Sequence, residues 1–475
     1  MRRRDFFLAA SLAFAANGAC AQPGAAPDLM RAWLERWLRA FNDSDLAVYK
    51  AFVARTAPAV LAYVDDDLSV RETTGGLDLL AVETTTADSI TALVKDRAWD
   101  RRSRVYLTAS GEQRLDDITF AGAPMETAIP RLKQAAAIRT ARDKIRLEGA
   151  AGRFSGASLV AAGRQVLLSA AQGLADEAAQ TPNRPNTRFC IGSMGKMFTA
   201  VAVMQDVEAG RIRLDAPVRA YLPDYPNPIV AERVTIRHLL THTGGTGDIF
   251  GPGYDGRVGA SAEPAELVRL YGERPPQFEP GSRWGYSNYG FVLLGRILER
   301  VGERPYAALL DAKILGPCAM TATSLGAEHA GSTARAYAGA RATGLKALPA
   351  YVGLPAGGAY STVEDMHAFA LALQAGGLVR PETLKAMTEP QVAAGSGHWG
   401  LGLAIRERNG LRYYGHGGAA PGANGDLAIF PAFTTITLCN RGHPAAACLA
   451  DFIGVRLPIE ASVVSHSPKA GDRSH

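Results

Sequence analysis

The sequence predicts an α+β protein in which a small α+β domain precedes a larger domain, built on an antiparallel sheet that helices cover. Strand-like runs cluster twice, once before residue 130 and once at the two ends of the remaining chain, with helical patterns mainly between them. The chain has 475 residues, of which 47% are hydrophobic and 20% charged, and this is enough for two separate cores. The predicted division is a signal peptide at 1–21, an accessory α+β domain at 22–130, the larger domain at 131–460 and a polar tail at 461–475.

Residues 1–21 are typical of a signal peptide. Three arginines precede an apolar, alanine-rich run that closes in Ala19-Cys20-Ala21, an A-x-A cleavage site, so the mature chain is expected to begin near Gln22. The order Arg3-Arg4-Asp5-Phe6-Phe7 resembles a twin-arginine export signal, with an ordinary secretory signal as the alternative. Lipidation of Cys20 would need an aliphatic residue where Asn17 stands. The sequence therefore predicts an exported protein, periplasmic or secreted.

Charge and hydropathy limit the partners of this chain. The formal net charge is +5, and residues 2–5 contribute 3 − 1 = +2, which leaves about +3 on the mature chain. Such a balance predicts no nucleic-acid partner. No later run of 18 or more apolar residues occurs, so no membrane span is expected after signal removal. Four cysteines remain without metal-ligand spacing and are expected to be buried free thiols, with the last two as the only near pair for a disulfide: Cys190, Cys318, Cys439 and Cys448.

The accessory domain is predicted to be a helix followed by a sheet. Trp33, Trp37 and Phe41 share one face of an amphipathic helix that a turn at 42–44 ends. Strand-like runs follow at 77–83, 103–108 and 114–120. This pattern resembles the cone-shaped, nuclear-transport-factor-like modules, and it implies a packing or binding accessory without chemistry of its own.

The larger domain is predicted to begin with a connecting helix at 129–150. Strands at 158–162 and 165–170 then flank the turn pair Gly163-Arg164. Strands at 427–430 and 434–438 mirror this hairpin near the end of the chain. Because mainly helices lie between them, the first and last strands are expected to share one antiparallel sheet.

The candidate nucleophile lies in Ser193-Met194-Gly195-Lys196, the only Ser-x-x-Lys in the chain. Positions i and i+3 lie on one face of a helix, so the Lys196 amine can reach the Ser193 hydroxyl. A serine hydroxyl is a poor nucleophile until a base takes its proton, and a lysine can be that base when desolvation lowers its pKa. The motif alone also fits a surface pair on a helix.

Two further patterns follow along the chain. Tyr286 and Asn288 are two apart in a polar turn before an apolar helical run, so in an extended segment both side chains face one cleft. A tyrosine there can relay a proton and an amide can hold a substrate carbonyl, whereas packing of Tyr286 and helix capping by Asn288 are the structural alternatives. The third pattern is a glycine-rich segment, 414–419, that leads into the final strands. Its glycines let a strand edge approach a ligand, and a backbone N–H beyond them can complete an oxyanion hole with that of Ser193.

Together these elements resemble the β-lactamase-related serine hydrolases, which include class C β-lactamases, D-alanyl-D-alanine carboxypeptidases, D-aminopeptidases and esterases. The resemblance covers roughly residues 145–455, and the stretches 234–243, 281–288 and 355–358 also match the family's style. It implies a β-lactamase/transpeptidase-like fold with a helical subdomain, an acyl-enzyme on Ser193, no metal and no cofactor. The implied substrate-binding and oxyanion positions are Asn288, His416, Gly417, Gly418 and Ala419, the backbone N–H of Ala419 acting with that of Ser193.

His416 departs from the lysine that some members carry at this position. A lysine would provide a permanent charge for the carboxylate of a β-lactam or a D-Ala terminus, whereas a histidine is mostly neutral at pH 7. The expected substrate is a small ester, amide or peptide, with esterase-like activity favoured. Penicillin-recognising β-lactamase or carboxypeptidase activity and a non-catalytic binding protein are the alternatives.

Three rival sites are weaker. His238 and His242 are four apart, but the glutamate and third ligand of a zinc protease motif are missing, so we interpret them as a capped helix start. No Gly-x-Ser-x-Gly occurs, which excludes the nucleophile elbow of α/β-hydrolases. Cys190 is interpreted as a small core residue and not as a nucleophile.

Overall fold

The computed structural model describes residues 27–123, 129–250, 263–328, 332–341, 344–350 and 352–461. The predicted signal peptide and almost all of the predicted polar tail lie outside the described residues.

Three α-helices, a 3-10 helix (Pro58–Tyr63) and a four-stranded sheet form the described N-terminal region. The α-helices are α1 (Pro27–Asn42), α2 (Leu46–Thr56) and α3 (Val64–Thr74), and the strands are β1 (Leu77–Thr85), β2 (Ser89–Asp96), β3 (Arg102–Ala109) and β4 (Leu115–Gly122). The strands pair antiparallel in sequence order. The sequence predicted α1, β1, β3 and β4 but missed the rest. Helix α3 was not predicted because its buried face includes polar side chains, among them Asp67, Thr73 and Thr74, so the sequence shows no apolar stripe there.

The apolar face of α1 packs on this sheet. Trp33, Trp37 and Phe41 are fully buried, and the ring of Trp37 stacks on that of Phe41 at 5.1 Å. The Asn42 side chain donates to the carbonyl of Leu77 and accepts from its N–H, at 2.7 and 2.8 Å. The end of the helix is therefore joined directly to the first strand.

An eight-stranded antiparallel sheet organises the rest of the chain. Its strands are β5 (Gly156–Ala162), β6 (Gln165–Gln172), β13 (Val392–Ala394), β14 (Gly397–Trp399), β15 (Ala404–Arg408), β16 (Leu411–Ala420), β17 (Ala423–Ile429) and β18 (Thr434–Cys439). Their spatial order is β13-β14-β15-β16-β17-β18-β5-β6. The prediction that the first and last strands share one sheet is therefore confirmed, with β18 paired to β5.

Short strands and most of the helices lie between these two strand sets, and one further helix lies on either side of them along the chain. The short strands are β7 (Leu174–Asp176), β8 (Thr181–Pro182), β9 (Phe189–Cys190), β10 (Tyr337–Ala338), β11 (Lys346–Ala347) and β12 (Tyr360–Ser361). The helices are α4 (Gln134–Ala150), α5 (Lys196–Glu208), α6 (Pro228–Arg233), α7 (Ile236–Leu240), α8 (Pro264–Tyr271), α9 (Asn288–Gly302), α10 (Tyr306–Leu310), α11 (Val363–Gln374), α12 (Pro381–Met387) and α13 (Ala445–Gly454).

Each face of the large sheet buries its own core. Alternation along β17 places Leu427 and Ile429 on one face and Ala428 on the other. The first face packs against the helices that lie between the two strand sets, whereas the second packs against α4 and α13. Helix α5 is buried almost all round, and the polar side chains near its start, Lys196 and Thr199, are withdrawn from water.

The β10–β11 hairpin joins the N-terminal region to the large sheet. Ala340 is fully buried in the N-terminal core, and the backbone N–H of Arg341 donates to Glu72 of α3 at 2.7 Å. On the other side of the hairpin, a Cβ added at Gly422 would lie 2.6 Å from the backbone nitrogen of Tyr337. The hairpin thus touches the turn that connects β16 and β17.

Within the described segments, no helix combines the length and the hydropathy needed to cross a membrane. The four cysteines in the described part of the chain are buried free thiols, as the sequence predicted.

Candidate active site

Ser193 lies in a tight turn that the surrounding backbone holds in place. The turn, Gly192–Gly195, is a single 3-10 turn immediately before α5. Gly192 has a φ of +51°, and a Cβ added there would lie 2.7 Å from the backbone nitrogen of Ala419. Only glycine combines that conformation with so close an approach, so the turn is pressed against β16. The predicted helical spacing is in fact a turn followed by the first residue of a helix.

Lys196 brings its amine to Ser193 inside the protein. Its Nζ lies 3.2 Å from Ser193 Oγ and donates to Asn288 Oδ1 at 2.6 Å and to the carbonyl of Ala356. The lysine is fully buried, and burial lowers its pKa from 10.5 to about 7, while the Asp248 carboxylate works against this shift. The amine is therefore available as a base near neutral pH.

Tyr286 and Asn288 both face Lys196, as their spacing predicted. The Lys196 amine lies 4.8 Å from the centroid of the Tyr286 ring. Burial raises the pKa of the Tyr286 phenol, and the neighbouring Ser193 side chain holds that rise back. Helix capping falls to Ser287, whose side chain accepts from the N–H of Gly290. Asn288, the first residue of α9, is thereby left to contact Lys196.

Asp248 is a site residue that the sequence analysis missed. Its two carboxylate oxygens accept from Asn288 Nδ2 at 3.0 and 2.9 Å, and Oδ1 also accepts from the backbone N–H groups of Ile249 and Phe250. Burial raises the pKa of the Asp248 carboxyl above its ordinary value, although these donors and Lys196 oppose the rise. It lies in a glycine-rich loop without any motif, so its only signal is a carboxylate placed shortly after the 234–243 stretch.

His238 and His242 do not share a helical face. His238 caps α7 together with Thr235, as interpreted from the sequence. His242 follows the end of the helix with a φ of +57°, and its ring lies 4.4 Å from that of Tyr286 in a tilted arrangement. Its Nδ1 accepts from the N–H of Ser287, and burial lowers its pKa well below the ordinary value. His242 therefore holds the Tyr286–Ser287 segment through a ring contact and a backbone hydrogen bond.

The glycine-rich segment forms an open edge of the large sheet. Strand β16 pairs with β17 from Tyr414 to Ala420, but its pairing with β15 stops at Gly415. A Cβ added at Gly418 would lie 2.0 Å from the carbonyl oxygen of Ile191. Residues 416–420, which include Gly417 and Ala419, are thus the part of this strand next to the Ser193 turn that a substrate can approach.

His416 is buried beside the aromatic rings of this cleft. Its ring lies 5.2 Å from that of Trp399 and 6.4 Å from that of Tyr286. Burial and the Lys196 charge lower the pKa of His416 to about 3. Its Nδ1 lies against the carbonyl of Gly417, while its Nε2 has no partner among the described residues. The ring is therefore neutral at pH 7.

The 355–358 stretch closes the site from the opposite side. Gly357 has a φ of +130°, and a Cβ there would lie 2.4 Å from the carbonyl oxygen of Gly192. The carbonyl of Ala356 accepts from Lys196. This stretch therefore fixes both the turn that carries Ser193 and the amine that faces it.

Cys190 does not compete with Ser193. It is buried, and desolvation raises the pKa of its thiol to about 11, so the thiolate is scarce at neutral pH. In the part of the chain that the structure describes, no group of three or more His, Cys, Asp or Glu side chains is arranged to hold a metal ion. The geometry suits proton transfer between Ser193 and Lys196 beside an open strand edge.

Comparison with known proteins places this geometry in a family. The profile of the family described as Beta-lactamase matches residues 136–453. Esterase EstB of Burkholderia gladioli is 38% identical over 178 residues, which are 34% of this chain and 45% of that protein. D-aminopeptidase of Brucella anthropi is 30% identical over 282 residues, which are 54% of this chain and 50% of that protein. The aligned regions thus span about half the length of these curated relatives.

A solved structure confirms the predicted fold class. The crystal structure of a penicillin-binding protein from Bacillus halodurans has a TM-score of 0.59 and 29% sequence identity, over 67% of this chain and 97% of that chain. The shared architecture is an antiparallel sheet with helices, which an α+β region precedes in this chain. Because the family profile matches more than half of its residues, this chain belongs to the Beta-lactamase family.

Proposed function

We propose that this chain is an exported serine hydrolase that cleaves an ester or amide through an acyl-enzyme on Ser193, with neutral esters preferred. The observation that carries the proposal is the buried Lys196 amine, 3.2 Å from Ser193 Oγ, with its pKa lowered to about 7. A lysine in that state can accept the serine proton at neutral pH.

The reaction follows from the positions of these groups. Ser193 Oγ attacks the substrate carbonyl carbon while its proton passes to Lys196 Nζ. The backbone N–H groups of Ser193 and Ala419 stabilise the oxyanion that forms. As the carbonyl is restored, the bond to the leaving group breaks and Tyr286 donates a proton to it, regaining one from Lys196. A water molecule then attacks the acyl-enzyme and releases the acid by the same steps in reverse.

The preference for a neutral substrate rests on His416. This ring is uncharged at neutral pH, so it offers a carboxylate no ion pair. With Nδ1 donating to the carbonyl of Gly417, Nε2 presents a lone pair that suits a substrate N–H or O–H. The relatives named esterase and D-aminopeptidase agree with ester or amide chemistry.

The N-terminal region belongs to the proposal as a nuclear-transport-factor-like accessory module. Its three α-helices against a four-stranded antiparallel sheet support this assignment. Export rests on the signal-like residues 1–21. Export is tested by the intact mass of the protein in the periplasmic, medium and cytoplasmic fractions. A mature chain that begins near Gln22 in the periplasm or medium supports export, and an uncleaved chain in the cytoplasm contradicts it.

Intact mass after incubation with reagents tests the hydrolase itself. The protein is treated in parallel with a fluorophosphonate, a penicillin and a short-chain p-nitrophenyl ester, and Ser193→Ala is the control. We expect a fluorophosphonate adduct on the wild type that Ser193→Ala does not form. We also expect turnover of the ester and neither adduct nor turnover with the penicillin. A stable penicillin adduct on Ser193, or nitrocefin turnover faster than ester turnover, would move the assignment to the penicillin-recognising branch. No adduct from any reagent would refute catalysis and favour a binding protein.

A further inference from the structure

We propose that Asp248 is a positioning residue of this site: it fixes the orientation of the Asn288 amide, and through it directs the lone pair of Lys196 at Ser193. The inference rests on the proposed function, because it explains how Lys196 is held as the base. Asp248 belongs to none of the three sequence elements that define the site.

The argument begins with the hydrogen-bonding capacity of a neutral amine. Such an amine has two N–H donors and one lone pair. Among the described residues, Lys196 has three hydrogen-bond partners: Asn288 Oδ1, the Ala356 carbonyl and Ser193 Oγ. The first two can only accept, so they take both N–H donors. The lone pair that remains faces the Ser193 hydroxyl, which is the arrangement that a general base requires.

This arrangement holds only while Asn288 presents its oxygen to Lys196. A side-chain amide can turn over and exchange its oxygen and nitrogen with little change of shape. If Asn288 turned over, its NH₂ group would face Lys196 and donate to the lone pair. The amine could then no longer accept the serine proton.

Asp248 prevents this rotation. Both of its oxygens accept from Asn288 Nδ2, at 3.0 and 2.9 Å, and an ionised carboxylate has no hydrogen to offer an amide oxygen. The backbone N–H groups of Ile249 and Phe250 hold Oδ1 at 2.7 and 3.1 Å, so the carboxylate itself cannot swing away. Across the described ranges of the chain, every hydrogen bond of this carboxylate is therefore with a donor, and the amide has one favourable orientation.

The charges around Lys196 determine how a substitution of Asp248 should change the pH profile of the reaction. Of the residues that the structure describes, Asp248 is the negatively charged group that acts on the lysine, and the other titratable neighbours there, Tyr286, His242 and His416, are neutral at pH 7. Removal of the Asp248 charge should therefore lower the pKa of Lys196. Loss of the charge alone makes Lys196 a slightly weaker base and would lower the maximal rate only modestly, whereas a turned Asn288 would block proton transfer and reduce that rate much further.

Asp248→Asn tests both effects in one pH profile, because the acid limb reports the pKa of Lys196 and the plateau reports whether its lone pair can accept a proton. The two backbone donors keep the oxygen of the new carboxamide at Oδ1, so its NH₂ group replaces Oδ2 and faces Asn288 Nδ2. Two donors then oppose each other, and Asn288 is driven to turn over. Asp248→Ala is the second variant, because it removes both the charge and the acceptor without adding a donor. Asp206→Asn is the matched control: Asp206 is a buried carboxylate on α5 that binds Lys313 and Arg211 and does not touch Asn288.

The measurement is the rate of fluorophosphonate labelling of Ser193 between pH 5 and 10, with folding checked by near-ultraviolet circular dichroism. We expect Asp248→Asn and Asp248→Ala to lower the high-pH plateau about tenfold or more and to move the acid limb to lower pH, while Asp206→Asn keeps the wild-type profile. A plateau within twofold of wild type in a folded variant would overturn the proposal, even if the limb moved. Wild-type protein that does not label at Ser193 would instead refute the proposed function.

Discussion

Replacement of Lys196 by methionine should change how stability depends on pH. The folded chain releases the Lys196 proton near pH 7, whereas the unfolded chain keeps it up to about 10.5. Between these values the unfolded state binds more protons, so the free energy of unfolding of the wild type rises with pH. Methionine has no proton to release and is of similar length.

The magnitude follows from the difference between the two pKa values. One pKa unit corresponds to about 1.4 kcal/mol, so from pH 7 to pH 10 the stability of the wild type relative to Lys196→Met should rise by about 4 kcal/mol. Hydrogen bonds lost with the lysine shift both ends of this range equally. They therefore cancel in the change with pH, although they prevent a prediction for any single pH.

Urea denaturation followed by tryptophan fluorescence, at pH 7, 8, 9 and 10, measures this difference. Ser193→Ala keeps the lysine and should follow the wild type throughout. A difference between wild type and Lys196→Met that stays constant across the range would mean that Lys196 is protonated in the folded protein. The lysine could then not act as the base in the proposed reaction.

Three further substitutions test other parts of the site. Gly357→Ala should destabilise the protein by about 2–5 kcal/mol and slow labelling of Ser193, because a strained φ is combined with a 2.4 Å approach to Gly192. The control Gly210→Ala has a positive φ but open space around it, and it should lower the free energy of unfolding by about 1–2 kcal/mol in the same urea experiment. Tyr286→Phe should slow ester hydrolysis about 100-fold with an unchanged melting temperature, and a rate near wild type would remove Tyr286 from proton transfer. His416→Lys should raise penicillin acylation relative to ester turnover about tenfold, whereas the neutral control His416→Gln should not; equal ratios in both would show that charge at this position does not select the substrate.

Much of the fold could be predicted because periodicity marks its outer elements. The amphipathic face of α1, the Gly163-Arg164 turn and the apolar runs of β17 and β18 each have a local signal. Helix α3 has none, since Asp67 and its polar neighbours are buried through tertiary contacts. The start of α4 was placed too early because the segment 129–133 forms contacts with the far end of the chain that no local pattern marks: the N–H of Leu132 donates to the carbonyl of Arg456, and the Arg131 side chain donates to that of Leu457.

The candidate site divides in the same way. Ser193, Lys196, Tyr286 and Asn288 are recognisable because their spacing along the chain already brings them to one face or one turn. Asp248 has no such spacing: its link to Lys196 passes through the two ends of one amide. The local conformations were also beyond prediction, since the 3-10 turn at Ser193 depends on the backbones of β16 and the 355–358 stretch. The catalytic and binding roles of all these residues stay predictions.

The pairing of β18 with β5 joins two strands that the ribosome synthesises far apart in time. The side chain of Ser158 donates to the carbonyl of Ile436, 278 positions further along the chain. During translation, β5 and β6 therefore leave the ribosome long before the strands that complete their sheet, and the apolar surface of α5 has no sheet to cover it. A chain that stops anywhere before residue 434 would expose that surface, and we expect such truncated chains to depend on chaperones or to aggregate.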